Sequence, residues 1–513
     1  MPPAHHSPSS IPRLLAVLLL ALALFLETPT PTMANEHLHP WSELVTQAMV
    51  GHTLRNGAEP SKPLNPLANL LVGGRILSIL HLAQWQALNE VLVTRNVSSL
   101  TAAKEQLRAL MPCLQAASAG AGKHTLETLL PAGDAQVGLP ALYAAQSGDD
   151  NNADVVSARE IGVKVGKAVL SSRSNDGAAT VLPPYLGANS TADAGKWRPT
   201  PPLFLPGGAE QWRWVTPYIL TSPQELRTPP PPGLSTAAYK QAYYEVKSVG
   251  NATSKERLLK DTEGAVFWCE QPDAIIFAIV GRVTEKMDVL EASRVYAMAA
   301  VAGLDARVAS MDSKYFYSTW RPVTALPLGN GGILTAVPDF TPLLATPPTP
   351  EFPSAHAVHG EAIMEVLRQA RGGGKGDEGA EKAADQLDVN LTTPTVRGLE
   401  AGKRSLQATT AAPTAAEAAD VIPVVTRQYS SLTAVSEDLA YSRIYGGIHY
   451  RFTADKSLKL GTSVGQRVVD AFDAKFTKVG MMGKEQQKEE SKKGEEGGEG
   501  GARRGLRTGK VSV

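Results

Sequence analysis

Residues Phe352 to Leu367 read FPSAHAVHGEAIMEVL. After His356, apolar residues recur at Ala357, Ile363, Met364 and Leu367, the spacing of one helix face. Pro353 and Ser354 stand where such a helix starts, and Ser354 is read as its N-cap or the neighbour of it. A helix start offers free backbone N–H groups, and here a hydroxyl and the imidazole of His356 join them, the make-up of an anion site. A plain serine cap with a surface histidine fits the same letters. His359, one turn on, is read as an exposed helix histidine.

Two further segments carry similar chemistry. KYFYSTWRP, Lys314 to Pro322, holds two cations seven residues apart with four aromatics and no charge between them. That interval is nearly two helical turns, so it predicts both cations on one face of a helix that Pro322 ends. Like charges on one face repel, unless both heads reach water or an anion sits between them. YSRIYGGIHYRF, Tyr441 to Phe452, places Gly446 and Gly447 between Arg443 and His449. The glycines let backbone approach a ligand closely. Arginine offers a planar donor fork suited to oxyanions and stays charged. His449 suits a nucleophile toward phosphorus or a nitrogen ligand to a metal oxyanion. Joined, the three segments supply three cations, a hydroxyl, backbone amides and two imidazoles, the inventory for holding a tetrahedral, highly charged oxyanion.

The chain around them has 513 residues, with Lys plus Arg at 50 and Asp plus Glu at 50. A zero net charge gives no support to nucleic acid or an anionic membrane as main partner. Residues 14–26, LLAVLLLALALFL, follow Arg13 and precede small residues near Ala34. This predicts a secretory signal peptide over residues 1–34 and no stable membrane insertion after its cleavage. Sequons at Asn96, Asn189, Asn251 and Asn390 fit a secreted glycoprotein. Two cysteines, Cys113 and Cys269, allow one disulfide or two thiols, and exclude a cysteine-based metal site.

Helical spacing dominates residues 41–130, with Ile76, Ile79, Leu80, Ala83 and Leu88 on one side of a helix over Gly74 to Leu92. A second amphipathic helix is expected over Ala158 to Gly177, with Gly162 and Gly166 marking close helix contact. Residues 178–235 are Pro-rich and read as an ordered loop wrapping the body. Helical periodicity returns over 238–250, 255–268 and 274–310. Strand-like alternation is scarce, so the body reads as all-α. A catalytic domain over 35–478 is expected, with a mobile low-complexity insert at about 371–420 and a disordered, charged, Gly-rich tail over 479–513.

K-x6-R-P, P-S-x-H and S-R-x5-H, in that order, resemble the three signature segments of the vanadium haloperoxidase and type 2 phosphatidic acid phosphatase superfamily. VGKAVLSSRSNDG, PPPPGLSTAAYKQAYYEVKSVG, YSTWRPVTAL, VPDFTPLLATPPTPEFPSAHAVHGEAI and RIYGGIHYRFTA resemble its soluble vanadium-dependent haloperoxidase branch. The resemblance covers most of residues 41–475. It implies helical bundles of the vanadium haloperoxidase and acid phosphatase type, with vanadate as cofactor. By the same resemblance His449 would bond the vanadium, and Lys314, Arg321 and Arg443 would bind vanadate oxygens. Ser354 and the backbone N–H of Ala355 would donate to the oxyanion, and His356 would be the acid–base residue.

The reaction so implied is oxidation of halide by hydrogen peroxide to hypohalous acid, which then meets a small organic acceptor. In a phosphatase of the same superfamily, phosphate would occupy the site, His449 would attack phosphorus and His356 would protonate the leaving oxygen. A non-catalytic secreted protein that keeps the fold is the third reading. Related enzymes are often oligomeric, so a homo-oligomer is compatible with the resemblance. The chain departs from its relatives at Ala355, in place of a frequent glycine, and at Met311 and Thr349, in place of frequent aromatics.

Overall fold

The computed structural model describes residues 33–56, 70–97, 99–133, 136–188, 193–269, 272–372, 377–394 and 424–477. The expected signal peptide (except Met33 and Ala34), the sequon at Asn189, residues 395–420 of the expected insert and the tail lie outside the described residues. The first helices are α1 (Met33–Asn56), α2 (Leu70–Thr94), α3 (Leu100–Glu105), α4 (Leu107–Leu129), α5 (Leu139–Gln146) and α6 (Ala153–Ser172). After the Pro-rich segment come α7 (Ala237–Val249), α8 (Leu259–Phe267), α9 (Pro272–Thr284), α10 (Val289–Tyr317), α11 (Pro322–Ala325) and α12 (Gly329–Gly332). The chain continues through α13 (Ala355–Ala370), α14 (Glu378–Asp385), strands β1 (Gln386–Pro394) and β2 (Val424–Ser431), α15 (Leu432–Tyr445) and α16 (Arg451–Phe476). The fold is the expected all-α body, with one two-stranded antiparallel sheet among the described residues.

A helix with small or apolar residues on every side has no face to give to water and ends up central. α10 is such a helix: it is buried on all sides from Val289 to Tyr315, apart from Glu291 and Arg294 near its start. Its first turn is capped by Asp288, whose carboxylate accepts from the N–H groups of Leu290 and Glu291. α10 packs on α2, which packs with α4 and α6, and also on α13 and α16, which pack together. α10 is therefore shared by two bundles, and its C-terminal end carries Lys314.

α4 and α6 approach closely because α6 has no side chain where they touch. A Cβ added at Gly162 would fall 2.0 Å from the carbonyl oxygen of Ala117. The Pro-rich stretch after α6 is anchored by charge. The buried carboxylate of Asp305 on α10 accepts backbone N–H bonds from Tyr218, Ile219 and Leu220 at 2.6, 2.7 and 3.0 Å. Arg227 grips Asp312 with two bonds of 2.7 and 2.9 Å.

Three features differ from expectation. α10 ends at Tyr317, where Ser318 turns left-handed with φ 50°, so Lys314 and Arg321 do not share a helix face. Pro322 starts the short α11 as its first residue and does not end the longer helix; proline needs no helical N–H bond there. The expected mobile insert is ordered in part, since residues 378–394 form α14 and β1. In β1, Leu387, Val389 and Leu391 are buried while Asp388 and Asn390 are exposed, the period-2 pattern of a half-buried strand.

His359 departs from expectation as well: it is buried, 2% exposed. Its Nε2 lies 2.9 Å from Asp273 of α9, and Arg307 of α10 bonds the same carboxylate at 2.6 and 2.8 Å. The sequence signals only that His359 is one turn from His356. Its face was decided by α9 and α10, which the periodicity of α13 cannot see. Burial pushes the Asp273 carboxyl up, but Arg307 and His359 more than reverse this and hold it below the usual carboxylate range. The triad ties α9, α10 and α13 together.

Two outcomes follow from this packing. Gly162→Ala gains up to about 1 kcal/mol of intrinsic helix preference, yet overpacking against Ala117 costs about 1–3 kcal/mol. A lowered denaturant midpoint is expected, and an unchanged or raised midpoint would show that α4 can move aside. Asp273→Asn leaves the Arg307 charge buried and unpaired and is expected to cost about 3–5 kcal/mol at neutral pH. Because the folded pKa of Asp273 is depressed, its stabilisation is full above the unfolded value near 4 and fades as pH falls through the folded value. The wild-type advantage, measured by denaturant unfolding at several pH values, should shrink below about pH 4.

Candidate active site

The site gathers chain segments that are far apart in sequence. Lys314 comes from the last turn of α10, and Arg321 is the N-cap residue of α11. A strap of residues 342–353 leads to Ser354, the N-cap of α13, with Ala355 and His356 in the first turn. Arg443 lies in the last turn of α15, and His449 on the loop between α15 and α16.

Backbone carbonyls hold the cations. Lys314 Nζ donates to Pro350 O at 2.7 Å and to Glu351 O at 3.1 Å. Arg321 donates to Thr349 O at 2.8 Å, Thr349 Oγ1 at 3.0 Å and Ile448 O at 2.9 Å. Its Nη1 also lies 3.1 Å from Nε2 of His449. Arg443 Nη1 reaches Trp268 O at 3.4 Å. Burial and then Arg321 push Lys314 well below the ordinary lysine range, with Glu351 opposing. Burial lowers Arg321 to about 10, which leaves it charged at neutral pH. Burial, with the charges of Arg321, Lys314 and Arg443, pushes His449 well below the usual histidine range.

Glu351 is the site residue that sequence reasoning left without a role. It is fully buried. Its Oε1 lies 2.8 Å from Nδ1 of His449 and accepts from Tyr450 N–H at 3.2 Å, while Oε2 accepts from the Thr453 hydroxyl at 2.9 Å. Burial raises its pKa to about 7 against the pull of Arg321 and Lys314. The available signal was a single carboxylate in an otherwise uncharged, Pro-rich strap leading into Pro353-Ser354. Thr349 takes the place of a frequent aromatic and holds Arg321 through both its hydroxyl and its carbonyl.

The glycines of the third segment do something other than expected. Gly447 has φ 75°, and a Cβ there would fall 2.3 Å from Gly250 O and 2.9 Å from Pro342 Cα. The close approach is to the strap and to the end of α7. The result is a turn in which Ile448 N and His449 N both return to the carbonyl of Arg443, at 3.2 and 3.3 Å. That turn fixes where His449 stands relative to Arg443. Cys113 and Cys269 are not bonded to each other; Cys269 instead packs with Leu343, Leu344 and Ile448 beside the site.

Ser354, His356 and Arg443 carry polar atoms that the protein itself leaves over. Ser354 Oγ, His356 Nε2 and Arg443 Nε are buried and have no hydrogen-bond partner. Ser354 caps α13 without using its side chain, and its own N–H is taken by Ser457 Oγ at 2.9 Å. A hydroxyl, an imidazole nitrogen and a guanidinium nitrogen left unpaired beside two further cations fit a polyanionic oxygen ligand such as vanadate or phosphate. Ala355 and His356 are partly exposed, whereas Lys314, Arg321, Ser354, Arg443 and His449 are buried. The site is therefore reached over the N-terminus of α13.

A family model described as the VCPO second helical-bundle domain matches residues 294–478. No curated protein matches the chain. Among solved structures, a bacterial vanadium-dependent iodoperoxidase is similar with a TM-score of 0.62 and 22% identity, over 87% of this chain and 98% of that one. A bacterial vanadium-dependent chloroperoxidase in its holo form is similar with a TM-score of 0.57 and 17% identity, over 81% and 94%. Its apo form gives 0.57 and 16%, over 80% and 94%. The chain has the fold of the solved vanadium haloperoxidases, and its residues 294–478 match the model of the VCPO second helical-bundle domain.

Proposed function

We propose that this protein is a vanadate-dependent haloperoxidase that oxidises halide with hydrogen peroxide to hypohalous acid. The observation that carries this is the set of unpaired, buried polar atoms at Ser354, His356 and Arg443 beside Lys314, Arg321 and His449. Lys314, Arg321 and Arg443 compensate the charge of the oxyanion. The Ser354 hydroxyl and the Ala355 N–H donate to it at the start of α13. His449 offers the Nε2 lone pair as its ligand. His356, partly exposed at the mouth, holds or releases a proton at Nε2. When bound, vanadate supplies a Lewis-acid centre that activates peroxide toward halide without changing its own oxidation state. A small organic acceptor would meet the product outside the cations.

A soluble acid phosphatase is the second reading, because an Nε2 lone pair among three cations suits attack on phosphorus equally well. Secretion is part of the proposal. It rests on the apolar run behind Arg13 and on sequons of which Asn96 and Asn390 are exposed.

Purified protein with orthovanadate, peroxide and bromide is expected to brominate a phenolic indicator dye; absence of turnover with chloride, bromide and iodide would overturn the haloperoxidase reading. Phosphomonoester hydrolysis that needs no vanadate and is inhibited by it would favour the phosphatase. His449→Ala should abolish turnover in either case, and a fully active variant would mean that the site lies elsewhere. His356→Ala should lower turnover by about 10²–10⁴-fold, the usual contribution of a placed acid–base group, with little change in orthovanadate affinity measured by calorimetry.

A further inference from the structure

A neutral imidazole has two tautomers, and only the one protonated at Nδ1 has a lone pair at Nε2. His449 is held at both nitrogens. On the Nε2 side, Arg321 Nη1 stands at 3.1 Å, and a guanidinium can only donate. Nε2 must therefore accept. On the Nδ1 side, Glu351 Oε1 stands at 2.8 Å and already accepts from Tyr450 N–H, while Oε2 accepts from the Thr453 hydroxyl. With Nε2 accepting, the one proton of the neutral ring sits on Nδ1 and points at Oε1, which can take it beside the Tyr450 N–H. The two sides fit the same tautomer.

We propose that Glu351 is a positioning residue that fixes His449 in the Nδ1-protonated tautomer and aims its Nε2 lone pair at the oxyanion. This deepens the reading of the site given under Proposed function and rests on it for the ligand's identity. Glu351 suits the task because its backbone is tied into the same clamp. Its N–H donates to Thr319 O at 2.8 Å, two residues before Arg321, and its carbonyl accepts from Lys314 Nζ at 3.1 Å. One residue thereby sets the ring of His449 by its side chain and the place of Lys314 by its main chain. A carboxylate behind a ligating histidine also makes that histidine a stronger donor.

Two substitutions separate orientation from charge. In Glu351→Gln the amide oxygen can stay where Nδ1 and Tyr450 N–H converge, with the NH₂ facing the Thr453 hydroxyl, which can turn to accept. Glu351→Met keeps the volume and removes the acceptor. Both remove the negative charge. The full chain, labelled with ¹⁵N at histidine and free of vanadate, is expected to show His449 protonated at Nδ1 and bare at Nε2 in wild type and in E351Q; the signal is assigned by its loss in H449N. E351M should show both tautomers, or the Nε2-protonated one. Orthovanadate affinity, measured by calorimetry, should fall about 10–100-fold in E351M, the usual effect of losing such a partner, and only a few-fold in E351Q.

A wild-type His449 protonated at Nε2 would overturn the inference, as would an E351M that keeps the wild-type tautomer. An E351Q that loses as much affinity as E351M would make charge the role of Glu351, and would also overturn it. If E351M does not fold, the wild-type and E351Q spectra still decide. Failure of the wild type to bind orthovanadate or phosphate at all would overturn the reading of the site, while the spectra would support or overturn the tautomer assignment independently.

Discussion

Three cations taken out of water into one site repel each other, and each has given up its hydration. The rest of the architecture answers that cost. Carbonyls from the strap, from Ile448 and from Trp268 stand in for water around Lys314, Arg321 and Arg443. One acidic side chain, Glu351, stands among the cations and touches His449 directly. Without these partners the buried groups would have nothing in place of their lost hydration. With them, the cations have partners while Ser354, His356 and Arg443 keep unpartnered polar atoms inside the site.

The scaffold serves this arrangement by being rigid where the cations attach. α10 is buried along nearly its whole length, so its end cannot wander, and Lys314 is fixed with it. The Pro-rich segment has little regular structure of its own. Asp305 and Asp312 lash it to α10 through backbone N–H groups and Arg227. Asp273, Arg307 and His359 lock α13 between α9 and α10, one turn below the residues that face the ligand. His359 is thus part of the footing under His356, as a buried member of an ionic triad.

Much of this was legible in the sequence. The three short segments were picked out because spacing and residue type report what a local stretch can present, and the structure brings them together. Helix periodicity gave the all-α class, and Gly162 marked a close helix contact. What local reading missed depends on partners distant in sequence. The seven-residue interval of Lys314 and Arg321 looked helical, but the left-handed turn at Ser318 breaks the helix and Arg321 reaches the site from a loop. His359 looked exposed because the carboxylate that pairs with it lies on α9. Glu351 had no visible role until His449 was brought to it from 98 residues away. The strand β1 was readable from the alternation of Leu387, Val389 and Leu391, but low-complexity neighbours hid it.

The cations are held mainly by peptide carbonyls: Thr349, Pro350, Glu351, Ile448 and Trp268 lend main-chain oxygens. A main-chain oxygen survives almost any substitution at its own position. The scaffold can therefore exchange side chains along the strap and the loops without loosening its grip, provided the path of the backbone is kept. This gives a physical account of how a chain that shares 22% of its residues with a solved iodoperoxidase can share its fold over 87% of its length. The clamp is written largely in the backbone.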